Sequence, residues 1–159
     1  MVTVVTVPGE PVKAPGWTPT HVRLTGVRRA VSKGREAVLE ADHVVVGADA
    51  MGMAFTDALV AHADVSVVLV DRRYGVGGHW LNAYPFVRLH QSSSTYGVAS
   101  TLLGDNRVQE SGPEAGMDER ASASEIYSYY ARVLPERLLD SGRVSFYPIS
   151  ASSSTVAST

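Results

Sequence analysis

Branched apolar residues follow one another without alternation in Asp42-His-Val-Val-Val46, the pattern of a strand buried on both faces of a parallel sheet. A glycine-containing turn follows. From Met51 to Ala63 the chain is rich in Ala, Met and Leu, with Phe55 and Leu59 four apart, which predicts a helix. Val65-Ser-Val-Val-Leu-Val70 is a second continuous apolar run and predicts the next strand. Strand, turn, helix and strand within about 30 residues make one βαβ unit with a right-handed crossover. Further on, Ser122-Ala-Ser-Glu125 has capping-box spacing and opens a predicted helix to about Leu139, bent near Pro135 and ended by Ser141-Gly142. Arg143-Val-Ser-Phe-Tyr147 is the third parallel-strand candidate, and it and the second strand are expected outside the first. The predicted class is α/β, with a parallel sheet and flanking helices.

The two ends read differently. Residues 1–40 form a Pro/Gly-rich N-terminal extension with Pro8, Pro11, Pro15 and Pro19, in which residues 2–7 are a strand candidate. Val27, Val31, Val38 and Leu39 fall loosely on one helical face, weakened by Gly34. The extension is basic up to Arg35, yet poor in serine and broken by prolines, so a transit peptide is a weaker reading than a dispensable extension. Residues 41–149 are the organised domain. Residues 150–159 are almost wholly Ser, Thr and Ala and are expected to be a disordered tail.

Composition narrows the chemistry. The 159 residues are 45% hydrophobic and 19% charged, enough apolar chain for one buried core. A net charge of −2 argues against a nucleic-acid partner. With no cysteine, the chain offers no thiolate metal site, disulfide or cysteine nucleophile. No apolar run approaches a membrane span, and Met1–Val7 lacks the basic start of a secretory signal, so the expected location is the cytoplasm. The five histidines show no paired metal-ligand spacing, and Ser92-Ser-Ser94 lacks a nucleophile-elbow context.

The first turn reads Gly47-Ala-Asp49-Ala-Met-Gly52. The dinucleotide fingerprint G-x-G-x-x-G needs a first glycine for the tight turn, a second for approach of the pyrophosphate, and a third for helix–strand packing. Gly47 and Gly52 stand at the first and third positions, and Asp49 stands at the second. Asp71 ends the second strand, where an acid accepts from the adenosine ribose. The alternative is a plain glycine turn and a surface aspartate in an ordinary α/β domain.

Beyond it lie Asp71-Arg-Arg-Tyr-Gly-Val-Gly77-Gly78-His-Trp80 and then Tyr84-Pro-Phe-Val-Arg88. Residues 42–149 thereby resemble the N-terminal FAD-binding Rossmann module of the flavin-containing and Baeyer–Villiger monooxygenases. Gly77, Gly78 and Trp80 match Gly-Gly-x-Trp, and Tyr84, Pro85 and Arg88 match the later Tyr-Pro-x-x-Arg-like segment with one residue fewer between. The resemblance implies an incomplete FAD-binding domain of Rossmann-like three-layer form. In it Gly47, Ala48, Asp49, Met51 and Gly52 would line the pyrophosphate, Asp71 would hold the ribose, and Arg72 would flank the adenine. Gly77 and Gly78 would pass close to the cofactor, with Trp80 and Arg88 near the ribityl chain or flavin. It also implies FAD as cofactor, NADPH as co-substrate, a small organic substrate, and a further C-terminal portion or second chain. Trp80 and Tyr84 read equally well as core packing, and Arg88 as a solvated charge. His79 and His90 read as packing residues before catalytic ones, and Tyr127, Tyr129 and Tyr130 as helix-to-sheet packing. Two other readings stay open: a degenerate Rossmann fragment that binds nucleotide weakly or not at all, and an NAD(P)-binding module in which Arg72-Arg73 meets a 2′-phosphate.

Overall fold

A computed structural model describes residues 3–8, 28–30 and 36–149. The expected tail at 150–159 and most of residues 1–40 lie outside the described residues. Eight strands and two α-helices are described: β1 (Thr3–Pro8), β2 (Arg28–Ala30), β3 (Glu36–Ala41), β4 (His43–Val46), α1 (Ala50–His62), β5 (Val67–Val70), β6 (Gly97–Val98), β7 (Thr101–Leu102), α2 (Ala123–Val133) and β8 (Val144–Tyr147).

The fold is α/β and Rossmann-like. Strands β4, β5 and β8 form a parallel sheet in that order, with His43 opposite Val67 and Val67 opposite Val144. Both later strands therefore lie to one side of the first. Strand β5 is buried at every position because it is covered on both faces. Its Val67 and Leu69 face a core shared with Val45, Met53 and Val60 of α1 and Ile126, Tyr130 and Val133 of α2. Its Val68 and Val70 face the opposite way, onto Leu39 and Ala41. At roughly 1.5–3 kcal/mol per fully buried aliphatic side chain, β5 is the strand on which the two cores depend.

The second face departs from expectation. Both α-helices lie in the one core, and the other face is covered by β3, central in an antiparallel sheet of order β1-β3-β2. Segment 27–40 is thus strand where it is described, not helix. Alternate residues Leu39 and Ala41 point to the core, and the boundary expected after residue 40 falls inside β3.

Helix α2 starts as its spacing predicts. Glu125 N–H donates to Ser122 Oγ while Ser122 N–H donates to Glu125 Oε2. Past Val133 the chain tightens differently, through a π turn at Leu134–Leu138 containing Pro135 and a 3₁₀ turn at Leu139–Ser141, closed by Gly142 in the left-handed conformation. Two charged side chains then fasten α1. Arg143 donates to the carbonyls of Ala63 and Val60, satisfying the end of the helix. Asp57, 1% exposed, accepts from Ser100 N–H, Ser100 Oγ and Arg137 Nε.

Candidate dinucleotide turn

The turn between β4 and α1 is built on two glycines. Gly47 has φ +103° and donates its N–H to Val70 O at 2.8 Å. A Cβ on Gly52 would lie 1.8 Å from Gly47 O, so no larger residue fits while helix and strand stay this close. Asp71 locks the turn from the end of β5: its Oδ2 accepts from Ala48 N–H at 2.7 Å and its Oδ1 from Arg73 N–H at 2.7 Å. The Asp71 side chain is therefore buried and turned inward.

The glycine loop after β5 closes over this turn. Gly77 N–H donates to Ala48 O at 2.7 Å, and a Cβ on Gly78 would meet Asp49 Cβ at 2.5 Å. Six of the expected residues, Gly47, Ala48, Asp49, Gly52, Gly77 and Gly78, are thus in one cluster with Asp71, and Met51 sits on its solvent side. The 3₁₀ turn Gly78–Asn82 carries Trp80, whose indole N–H donates to Tyr96 Oη at 2.7 Å. Trp80 is half-buried against the core.

Arg72 is exposed just past β5. Arg88 is exposed and donates to Arg120 O, and its strand-like bridge is to Ser122 at the start of α2. Tyr84 is not a core residue; it stacks on Phe86, and both rings face solvent. Tyr127 is exposed, whereas Tyr129 and Tyr130 are buried.

Asp49 differs most from what its place in the fingerprint suggests. Its carboxylate does not point freely into the space before the helix. It is the N-cap of α1, accepting from Met51 N–H and Gly52 N–H through Oδ1 at 3.1 Å each. Two of the donors that this helix start would offer to a phosphate are held by the chain's own anion.

Tyr130 is the neighbour that sequence spacing alone leaves among packing residues. Its ring lies beneath Gly77, and its buried hydroxyl faces Tyr96 without a hydrogen bond of good geometry. Burial, reinforced by Tyr96 and Tyr129, pushes this phenol far up, so it stays protonated. The spacing Ile126, Tyr130, Val133 on α2 is the signal that places it inward.

No protein-family model matches the chain. Uncharacterized proteins of Mycobacterium bovis and Mycobacterium tuberculosis are each 47% identical to it over 119 residues, which is 75% of this chain and 22% of theirs. The chain thus spans about a fifth of the length of the curated relatives it matches. Among solved structures, an oxidized steroid monooxygenase bound to NADP is similar with a TM-score of 0.44 and 25% identity, over 67% of this chain and 19% of that one. Among the described residues, no helix is long and apolar enough to cross a membrane, and no group of three or more His, Asp or Glu is placed to hold a metal ion.

Proposed function

We propose that the chain is the FAD-binding portion of an NAD(P)H- and FAD-dependent oxidoreductase of the monooxygenase kind, acting on a small organic substrate. One observation carries this reading. The turn after β4 allows no side chain at Gly52, and it is locked both to Asp71 from the second strand and to the Gly77-Gly78 loop. An ordinary strand-to-helix turn needs neither the bar on a side chain at Gly52 nor a glycine pair seated on it, whereas a turn that packs helix on strand and passes close to a dinucleotide calls for both.

The residues fit the cofactor unequally. Gly52 and Gly78 leave no room for a Cβ, and Gly47 and Gly77 hold φ of +103° and +100°, so the four make a backbone cradle that only glycine suits. Asp49 does not fit, because its carboxylate takes the Met51 and Gly52 N–H groups on which a pyrophosphate would rest. At roughly 4–5 Å and an effective dielectric of about 20, one carboxylate–phosphate repulsion costs ~3–4 kcal/mol, more than a hundredfold in affinity. The proposal is therefore weak FAD binding by the chain as it stands. When bound, the flavin supplies two-electron redox chemistry, and the protein's part is to hold and orient it.

Asp49→Gly tests the reading directly. FAD affinity, followed by flavin absorbance and fluorescence on titration, is expected to rise at least tenfold. Stoichiometric flavin in purified wild type, or no gain in a folded Asp49→Gly protein, overturns the assignment of this turn. A second reading, a Rossmann-like unit that takes no nucleotide, is favoured by Asp71: it is 4% exposed, and both its oxygens are already engaged within the chain. Under that reading FAD, NADP and NAD leave the melting temperature of wild type and Asp49→Gly alike unmoved.

A further inference from the structure

Four aromatic rings run in an unbroken series behind the Gly77-Gly78 loop. Trp80 and Tyr96 meet edge-on with centroids 6.1 Å apart, Tyr96 and Tyr130 at 6.4 Å, and Tyr130 and Tyr129 at 5.0 Å. Trp80 is tied to Tyr96 by more than contact, because its indole N–H donates to Tyr96 Oη at 2.7 Å. It also lies against the exposed imidazole of His79, with ring centroids 4.7 Å apart. The series therefore begins at the rim of the candidate site and leads away from it.

The fate of the phenol protons gives this series a direction. Indole and phenol are the side chains that surrender a single electron most readily where thiols are absent, and the chain has no cysteine. A phenol does so readily only when its proton can leave with the electron. Tyr130 is fully buried, its hydroxyl makes no hydrogen bond of good geometry, and burial holds its proton in place. Tyr129 is buried too, and its hydroxyl donates to Thr101 O, a carbonyl too weakly basic to take the proton. Tyr96 is half-buried and is the phenol of the three that water reaches.

We propose that Trp80 and Tyr96 form a one-electron relay that draws oxidising equivalents away from the glycine loop and the turn beneath it. A one-electron oxidant, such as an oxygen-derived radical or a photoexcited flavin, takes an electron from the Trp80 indole. Tyr96 returns an electron to Trp80 and loses its O–H proton to water. In sum the oxidant gains one electron, water gains one proton, the Trp80 N–H is intact, and Tyr96 is left as a neutral phenoxyl radical. A soluble thiol or ascorbate then restores Tyr96 by giving it a hydrogen atom. Tyr130 and Tyr129 keep their protons, so the oxidation stops at Tyr96. The relay does not rest on nucleotide binding, because an oxidant in solution can start it.

The test is pulse radiolysis of the full chain carrying Trp17→Phe, which leaves Trp80 as its one tryptophan. The azide radical is the probe, since it oxidises indole in preference to phenol. The indolyl absorption is expected to decay as the phenoxyl absorption rises, at a first-order rate independent of protein concentration. Tyr96→Phe keeps the ring and is expected to slow that rise at least tenfold, whereas Tyr130→Phe leaves it unchanged. An indolyl radical that decays with no phenoxyl rise, an equally fast rise in folded Tyr96→Phe protein, or a rise lost in Tyr130→Phe overturns the proposal. Urea gives a check that needs no change at Tyr96. Unfolding separates the two rings and is expected to slow the transfer at least tenfold, and a rate that survives unfolding overturns the relay.

Discussion

Carboxylates join the elements of this chain residue by residue. Asp42, between β3 and β4, accepts from Ser66 N–H at 2.8 Å and Ser66 Oγ at 2.7 Å, while its own N–H donates to Ser66 Oγ at 3.0 Å. These hydrogen bonds from the Ser66 side chain and backbone hold the Asp42 carboxyl below its ordinary value of 3.8. A folded-state pKa below the unfolded one gives stability that is present above the ordinary value and lost as pH falls through the lowered one. Asp42→Asn is therefore expected to flatten part of the acid limb of a urea-midpoint profile taken from about pH 6 down to about pH 2. Asp71 is a different case, because it is buried. Asp71→Ala leaves the N–H groups of Ala48 and Arg73 without their acceptor, and a loss of about 1.5–3 kcal/mol is expected in denaturant unfolding without any nucleotide. A role confined to the ribose would leave that value unchanged.

Elements show where local pattern suffices and where it does not. Tyr129 clamps the short β6–β7 hairpin, accepting from Val98 N–H at 2.8 Å and donating to Thr101 O at 2.6 Å. Tyr129→Phe keeps the ring and removes both bonds, so about 1–3 kcal/mol of stability is expected to be lost in chemical denaturation. Leu39→Ala opens a void over Val68 and Val70, and about 2–5 kcal/mol is expected from the same measurement. The βαβ unit and the capped α2 were legible because each declares itself locally, by an apolar run, a glycine turn or a Ser-x-x-Glu box. Strand β3 was not. Glu36-Ala-Val-Leu-Glu-Ala41 buries Leu39 and Ala41 against residues almost thirty positions onward, and nothing within six residues separates that from a helical face. The glycine cradle was legible in the same local way, but the cap made by Asp49 was not. Asp at the second fingerprint position and Asp at an N-cap are the same letter, and only the backbone at Asp49, with φ −86° and ψ −171°, makes it a cap.

Across the whole molecule, a parallel sheet is held between two α-helices on one face and an antiparallel sheet on the other. Removing residues 1–40 takes away β1, β2 and nearly all of β3, leaving Val68 and Val70 facing water. The expected result is aggregation on size-exclusion chromatography or a melting temperature well below that of the full chain. A truncated chain that stays monomeric and melts within a few degrees of it would show that the antiparallel sheet is an accessory. The two faces differ in what they adjoin: the helical face carries the candidate turn between β4 and α1, and the other face carries only the antiparallel sheet.

The Trp80–Tyr96 contact has an optical consequence. The chain contains two tryptophans, and Trp80 sits two residues past the glycine pair, with its indole N–H on Tyr96 Oη and the rings edge-on at 6.1 Å. Its emission therefore depends on whether the Gly77-Gly78 loop is seated on the first turn. A Trp17→Phe protein isolates that signal, with seated Trp80 emitting to the blue of a water-exposed indole and lifting of the loop shifting it red. The molecule thus carries its own fluorophore at the rim of its candidate site.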